Sequence, residues 1–91
     1  MKKAVRVYIY GIVQGVLFRN FIKENADKLT LKGYVRNLDD GRVETWLEGD
    51  NKKIEEMIEV CKKGPKQAQI KRVDILDEKL QDMKEFKILH I

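Results

Sequence analysis

The sequence predicts an α+β sandwich, with two helices lying on one face of a small sheet, and three observations carry that prediction. Apolar residues alternate between a period of two and a helical spacing along the chain, in the order β-α-β-β-α-β with an extra strand at the end. The pair Asp40-Gly41 separates two alternating segments, a strong hairpin signal. Each helix carries one apolar stripe and each strand one apolar face, so both helices can bury everything by packing on the same side of a single sheet.

The elements follow in order. From Ala4 to Tyr10, Val5, Val7 and Ile9 share one face and Arg6, Tyr8 and Tyr10 the other, the pattern of a half-buried strand. Phe18, Phe21, Ile22, Ala26 and Leu29 recur at helical spacing, which predicts a helix from about Arg19 to Leu29. Gly33 to Leu38 reads as a strand, Asp39-Asp40-Gly41 as a turn and Arg42 to Glu48 as the returning strand. Asp50 is placed to cap a second helix with the stripe Ile54, Met57, Ile58 and Cys61, and Gly64-Pro65 ends it. Ile70 to Leu76 and Lys84 to Leu89 are the remaining strands. Right-handed crossovers on the two β-α-β halves then give the ferredoxin-like split arrangement, with the first and third strands as central neighbours.

Composition narrows the function classes. With 91 residues, 43% hydrophobic and 37% charged, one domain spanning residues 1–91 is expected, with a core large enough to fold without staples. The single cysteine, Cys61, excludes an internal disulfide and a multi-cysteine zinc site; it lies on a helical stripe and reads as core. The one histidine, His90, is expected to be solvated near the C-terminus. There is no apolar leader segment and no run of about 18 apolar residues, so a cytoplasmic protein without a membrane partner is expected. The charge of +4, from 19 basic and 15 interspersed acidic residues, would attract small phosphorylated anions and nucleic acid about equally.

The chemistry concentrates where the first strand runs into Gly11-Ile12-Val13-Gln14-Gly15-Val16-Leu17-Phe18-Arg19 and a helix follows. Backbone N–H groups of such a loop converge on one point, and the first helical turn adds unpaired donors and the positive end of its dipole. Arg19 adds a guanidinium fork. A phosphoryl group fits all three, held by the backbone of Gln14, Gly15, Val16, Leu17, Phe18 and Arg19. No Gly-Lys-Ser/Thr ending is present, so a Walker-type nucleotide loop is excluded. Asn37 has the strand parity of Gly33 and Val35, which turns its side chain to the helix-covered side; strand register, which decides whether it meets the loop, is not derivable.

These residues resemble a known family. The nonapeptide above, followed by Leu31-Lys32-Gly33-Tyr34-Val35-Arg36-Asn37, then Asp40-Gly41-Arg42-Val43-Glu44 and the closing Phe86-Lys87-Ile88, is similar to acylphosphatase over most of the chain. The resemblance implies hydrolysis of acyl phosphates to a carboxylate and inorganic phosphate with no metal and no cofactor. It also implies that Arg19 binds the phosphoryl group with the loop amides, that Asn37 positions the attacking water, and that inorganic phosphate is both product and competitive ligand. A monomer is expected. Two positions depart from the commonest pattern: Leu17 and Thr30 stand where glycine is frequent. A left-handed Thr30 would cost on the order of 1 kcal/mol.

Two other readings compete. The same fold underlies RNA-binding modules, and Tyr8, Tyr10 and Trp46 fall on the sheet face away from the helices, where such modules stack bases. Lys32-Gly33-Tyr34 begins like an RNA-binding signature but sits on the second strand rather than the third and does not continue it. Glu44 and Glu48 on the face of Trp46 would repel a phosphate backbone, so nucleic acid ranks below a small phosphorylated substrate. A non-catalytic domain that only holds phosphate or carbamoyl phosphate is the third reading.

Overall fold

The computed structural model describes residues 1–90. The elements are β1 (Lys2–Ile12), α1 (Val16–Lys28), β2 (Lys32–Asn37), β3 (Val43–Asp50), α2 (Asn51–Lys63), β4 (Gln69–Glu78) and β5 (Phe86–Ile88). They form one five-stranded sheet in the order β4-β1-β3-β2-β5, with β1 and β3 adjacent at the centre as expected. All pairings are antiparallel except that of β5 with β2, which is parallel, so the extra strand joins at the β2 edge.

The core lies between the sheet and the helices. Val5, Val7 and Ile9 of β1, Val35 of β2 and Val43 and Leu47 of β3 meet Phe18, Ile22 and Ala26 of α1 and Ile54, Met57 and Cys61 of α2. Burial pushes the Cys61 thiol up to about 12, so it stays protonated and behaves as a small apolar side chain. The Asp50 carboxylate accepts from the Lys52 N–H at 3.1 Å and caps α2.

α1 begins three residues earlier than the periodicity suggested, because its first turn is a loop wall rather than a core face: Val16 and Leu17 are exposed. It ends in a Schellman motif, with the Thr30 N–H on the Asp27 carbonyl and the Leu31 N–H on the Ala26 carbonyl. Thr30 occupies the left-handed position at φ +56°, where a β-branched residue is strained.

The sheet face away from the helices is less open than alternation implied. Residues 79–85 cross one end of it, where the Glu48 carboxylate accepts from the N–H groups of Gln81 (2.6 Å) and Met83 (3.1 Å) and from the Trp46 indole (3.0 Å). Trp46 is only 5% exposed and stacks on Tyr34, so it offers no free ring to a base, which corrects the stacking platform of the RNA-binding reading. The other two rings are covered by cations: Arg42 lies over Tyr8 at 4.7 Å and Arg72 over Tyr10 at 4.2 Å. Glu44 is 2% exposed rather than a surface repellent, and it accepts from Arg36 Nε at 2.6 Å and the Tyr34 hydroxyl at 3.1 Å.

Two outcomes follow from these features. Replacing Thr30 by glycine relieves the left-handed strain and stabilises the fold by about 0.5–1 kcal/mol after glycine's greater unfolded freedom is counted. Thermal unfolding should show a Tm a few degrees higher. Burial alone would raise the Glu44 carboxyl, but hydrogen bonds from Arg36, Tyr8 and Tyr34 together with the Arg36 charge outweigh burial and hold it below its ordinary value. A lowered acid stabilises the fold above its unfolded pKa, about 4.3, and that contribution disappears as pH falls through the folded value. Glu44→Gln should therefore cost about 1–2 kcal/mol at pH 7. Denaturant titrations should show the gap to the parent protein narrowing below about pH 4; a gap unchanged down to pH 3 would contradict this.

Candidate active site

The loop between β1 and α1 is fixed at both ends by the core. Val13 and Phe18 are buried, whereas residues 14–17 between them are exposed. Gly15 has φ +117°, a conformation that side chains resist, and a Cβ there would meet no protein atom within 4 Å, so the space above it is open. At the other end, β1 shifts register at Tyr10/Gly11, and a Cβ on Gly11 would lie 1.9 Å from the Gln69 carbonyl oxygen. Glycine there lets β4 approach the bulge closely.

α1 starts at this loop without compensation. Gly15 is its N-cap and makes no side-chain cap, and no acidic residue stands in the first turn. The first helical hydrogen bond runs from the Arg19 N–H to the Gly15 carbonyl at 3.3 Å. The Arg19 amide therefore belongs to the helix and drops out of the expected donor set. Among the described residues, no backbone or side-chain acceptor serves the N–H groups of Gly15, Val16, Leu17 and Phe18. Four unpaired donors at the positive end of a 13-residue helix make the kind of helix start that favours an anion.

The Gln14 side chain turns away from this point. Its Nε2 donates to the carbonyls of Leu38 (2.7 Å) and Arg42 (3.3 Å), so it braces the loop against the β2–β3 turn instead of offering its amide to a ligand. The register the sequence could not supply comes from strand pairing, with Asn37 and Ile9 each opposite Val43, and the Gln14 tie joins the loop to the residue after Asn37.

Arg19 is joined to the same strand by another route. Its Nη1 contacts the Leu89 carbonyl (3.5 Å) and His90 Nδ1 (3.4 Å), while the Leu89 N–H donates to the Val35 carbonyl at 2.9 Å. His90 is exposed, as the sequence suggested, and it also sits against the guanidinium; no periodicity reaches that far, so no signal marked that contact. Arg19 and Asn37 are thus brought to the same end of the sheet by two independent ties.

Three buried side-chain nitrogen or oxygen atoms lack a hydrogen-bond partner among the described residues: Arg6 Nε, Arg19 Nε and Asn37 Oδ1. Arg6 Nε lies 3.3 Å from the Glu78 carboxylate and is compensated by charge. The other two, one donor and one acceptor, belong to the pair singled out by the sequence. Buried polar atoms are rarely left unpaired, so a water or a ligand group is needed to complete the bonding of this pair.

A family model for acylphosphatase matches residues 5–88. The chain belongs to the acylphosphatase family. It is 45% identical over 76 residues to an acylphosphatase of Rubrobacter xylanophilus, an alignment covering 84% of this chain and 69% of that protein. The crystal structure of an acylphosphatase from Bacillus subtilis superposes with a TM-score of 0.92 at 34% identity, covering 98% of this chain and 99% of the other. A full-length HypF in its phosphate- and nucleotide-bound form contains a similar unit, with a TM-score of 0.87 at 33% identity over 98% of this chain but only 12% of HypF. Like its acylphosphatase relatives, the protein is an enzyme that hydrolyses acyl phosphates. No helix among the described residues is long and apolar enough to cross a membrane.

Inorganic phosphate should stabilise the protein in proportion to its occupancy, reaching about 2.7 kcal/mol at one hundred times Kd. Thermal unfolding in phosphate against chloride of equal ionic strength reads this as a rising Tm. Arg19→Ala should abolish most of the rise.

Proposed function

We propose that hydrolysis proceeds by direct attack of water on the phosphorus, with Arg19 and the loop amides binding the phosphoryl group and Asn37 holding the water. The observation that carries this is the pair of buried, unpartnered atoms, Arg19 Nε and Asn37 Oδ1, beside four free N–H donors. The donors and guanidinium meet the equatorial oxygens, whose charge an electrostatic cradle stabilises through a loose transition state. Asn37 Oδ1 accepts a hydrogen bond from one water O–H and aims the oxygen lone pair at phosphorus.

The water oxygen bonds to phosphorus as the bond from phosphorus to the acyl oxygen breaks, and that electron pair leaves with the carboxylate. The water's proton passes to a phosphoryl oxygen, so carboxylate and inorganic phosphate account for every atom. An amide has no useful basicity at neutral pH, so Asn37 orients the water without deprotonating it. A carboxylate is a weak base and leaves without protonation, which supports a mechanism with neither a general acid nor a metal. Every part of the site comes from one chain, which supports a monomer acting on a small diffusible substrate. A cytoplasmic setting agrees with a single reduced, buried cysteine.

Acetyl phosphate with a chelator is the direct assay. Turnover should persist with the chelator and fall about 10³-fold in Arg19→Ala. Asn37→Ala should lose about 10²-fold or more in kcat while inorganic phosphate still inhibits with an unchanged constant. Turnover at the parental rate in Asn37→Ala would reject the water-holding role.

A further inference from the structure

The strand order sets a direction for the reaction. β2, which carries Asn37, lies on one side of β1, whereas β4 and the connection leading into it lie on the other. In phosphoryl transfer the attacking and leaving oxygens stand roughly in line on opposite sides of phosphorus. With the water held at Asn37 as proposed above, attack comes from the β2 flank and in-line departure points the acyl group toward the β4 flank.

On that flank the structure has a cleft of about 430 Å³, whose lining includes Ile12 at the end of β1, Leu17 and Phe21 of α1, and Pro65 and Ala68 of the connection into β4. Ile12 and Leu17 are 64% and 75% exposed, large aliphatic side chains that the fold leaves in water next to an anion site. Glu24, one turn beyond Phe21 on α1, adds a carboxylate to the same wall. Apolar walls beside a polar anchor are the usual make-up of a small-molecule pocket, and this volume lies in the usual range.

We propose that this cleft receives the acyl group, and that the enzyme favours acyl phosphates whose acyl part is uncharged, apolar and several carbons long. The inference rests on the direction of attack set out under Proposed function. The loop grips the phosphoryl end of any acyl phosphate alike. Discrimination comes from the flank: Ile12, Leu17 and Phe21 desolvate a hydrocarbon chain, and Glu24 repels an acyl group that bears a second negative charge.

The test compares kcat/KM for acetyl, butyryl and hexanoyl phosphates, whose leaving carboxylates have nearly the same basicity, so differences report contacts rather than reactivity. A fully desolvated methylene is worth roughly fourfold, and a partly open cleft less, so hexanoyl phosphate should exceed acetyl phosphate by about tenfold. In Ile12→Thr, which keeps a β-branched residue at an exposed position, that preference should shrink to about threefold or less. Acetyl phosphate turnover should stay unchanged, because a single methyl group offers little apolar surface for Ile12 to desolvate. Glu24→Gln should raise turnover of the monophosphate of succinic acid relative to hexanoyl phosphate. Equal kcat/KM across the alkyl series, with acetyl phosphate still turned over, would overturn the cleft and leave the hydrolase intact. No turnover of any acyl phosphate would overturn both.

Discussion

The uncapped start of α1 is the constraint on which the rest of the structure depends. A helix normally satisfies its first N–H groups with a Ser, Thr, Asp or Asn side chain, and α2 does so with Asp50. α1 has glycine at that position and no acid in its first turn, so its donors and dipole stay available. That arrangement costs stability in the empty protein and favours an anion when one binds. The exposed loop keeps its shape because Val13 and Phe18 hold it to the core on either side.

Around this point the fold spends its few polar contacts on position. Gln14 reaches the Leu38 carbonyl, and Arg19 reaches the Leu89 carbonyl, whose own N–H is held by Val35. The parallel β5 strand therefore has a use beyond covering the β2 edge: its continuation supplies a backbone acceptor for the guanidinium. Loop, arginine and asparagine come from three separate elements, and the spacing among them is set by strand pairing and not by flexible side chains. Preorganisation of this kind is what electrostatic catalysis requires, because donors already in place need not reorganise as charge develops.

Much of this was legible in the residues. Alternation in β1, the Asp40-Gly41 turn and the stripes of α1 and α2 specify the sandwich, and motif resemblance singled out Arg19 and Asn37. Parity also gave the side to which Asn37 turns. Its distance from the loop was not legible, because it follows from the register in which β1 and β2 both pair with β3, with Asn37 and Ile9 each opposite Val43. Glu44, Glu48 and Trp46 alternate as an exposed face would; nothing local shows that residues 79–85 fold over one end, or that Arg36 and Tyr34 close over Glu44. His90 carried no pattern at all, since its place beside Arg19 depends on β5 pairing with β2.

A phosphate titration followed by amide proton–nitrogen correlation spectra tests the central claim most directly. If the helix start is the anion cradle, the resonances of Gly15, Val16, Leu17 and Phe18 and the Arg19 Nε–H shift together with one binding constant, while those of β4 and the far sheet face stay in place. Shifts confined to the cationic face around Arg42 and Arg72, with the loop resonances unmoved, would contradict it.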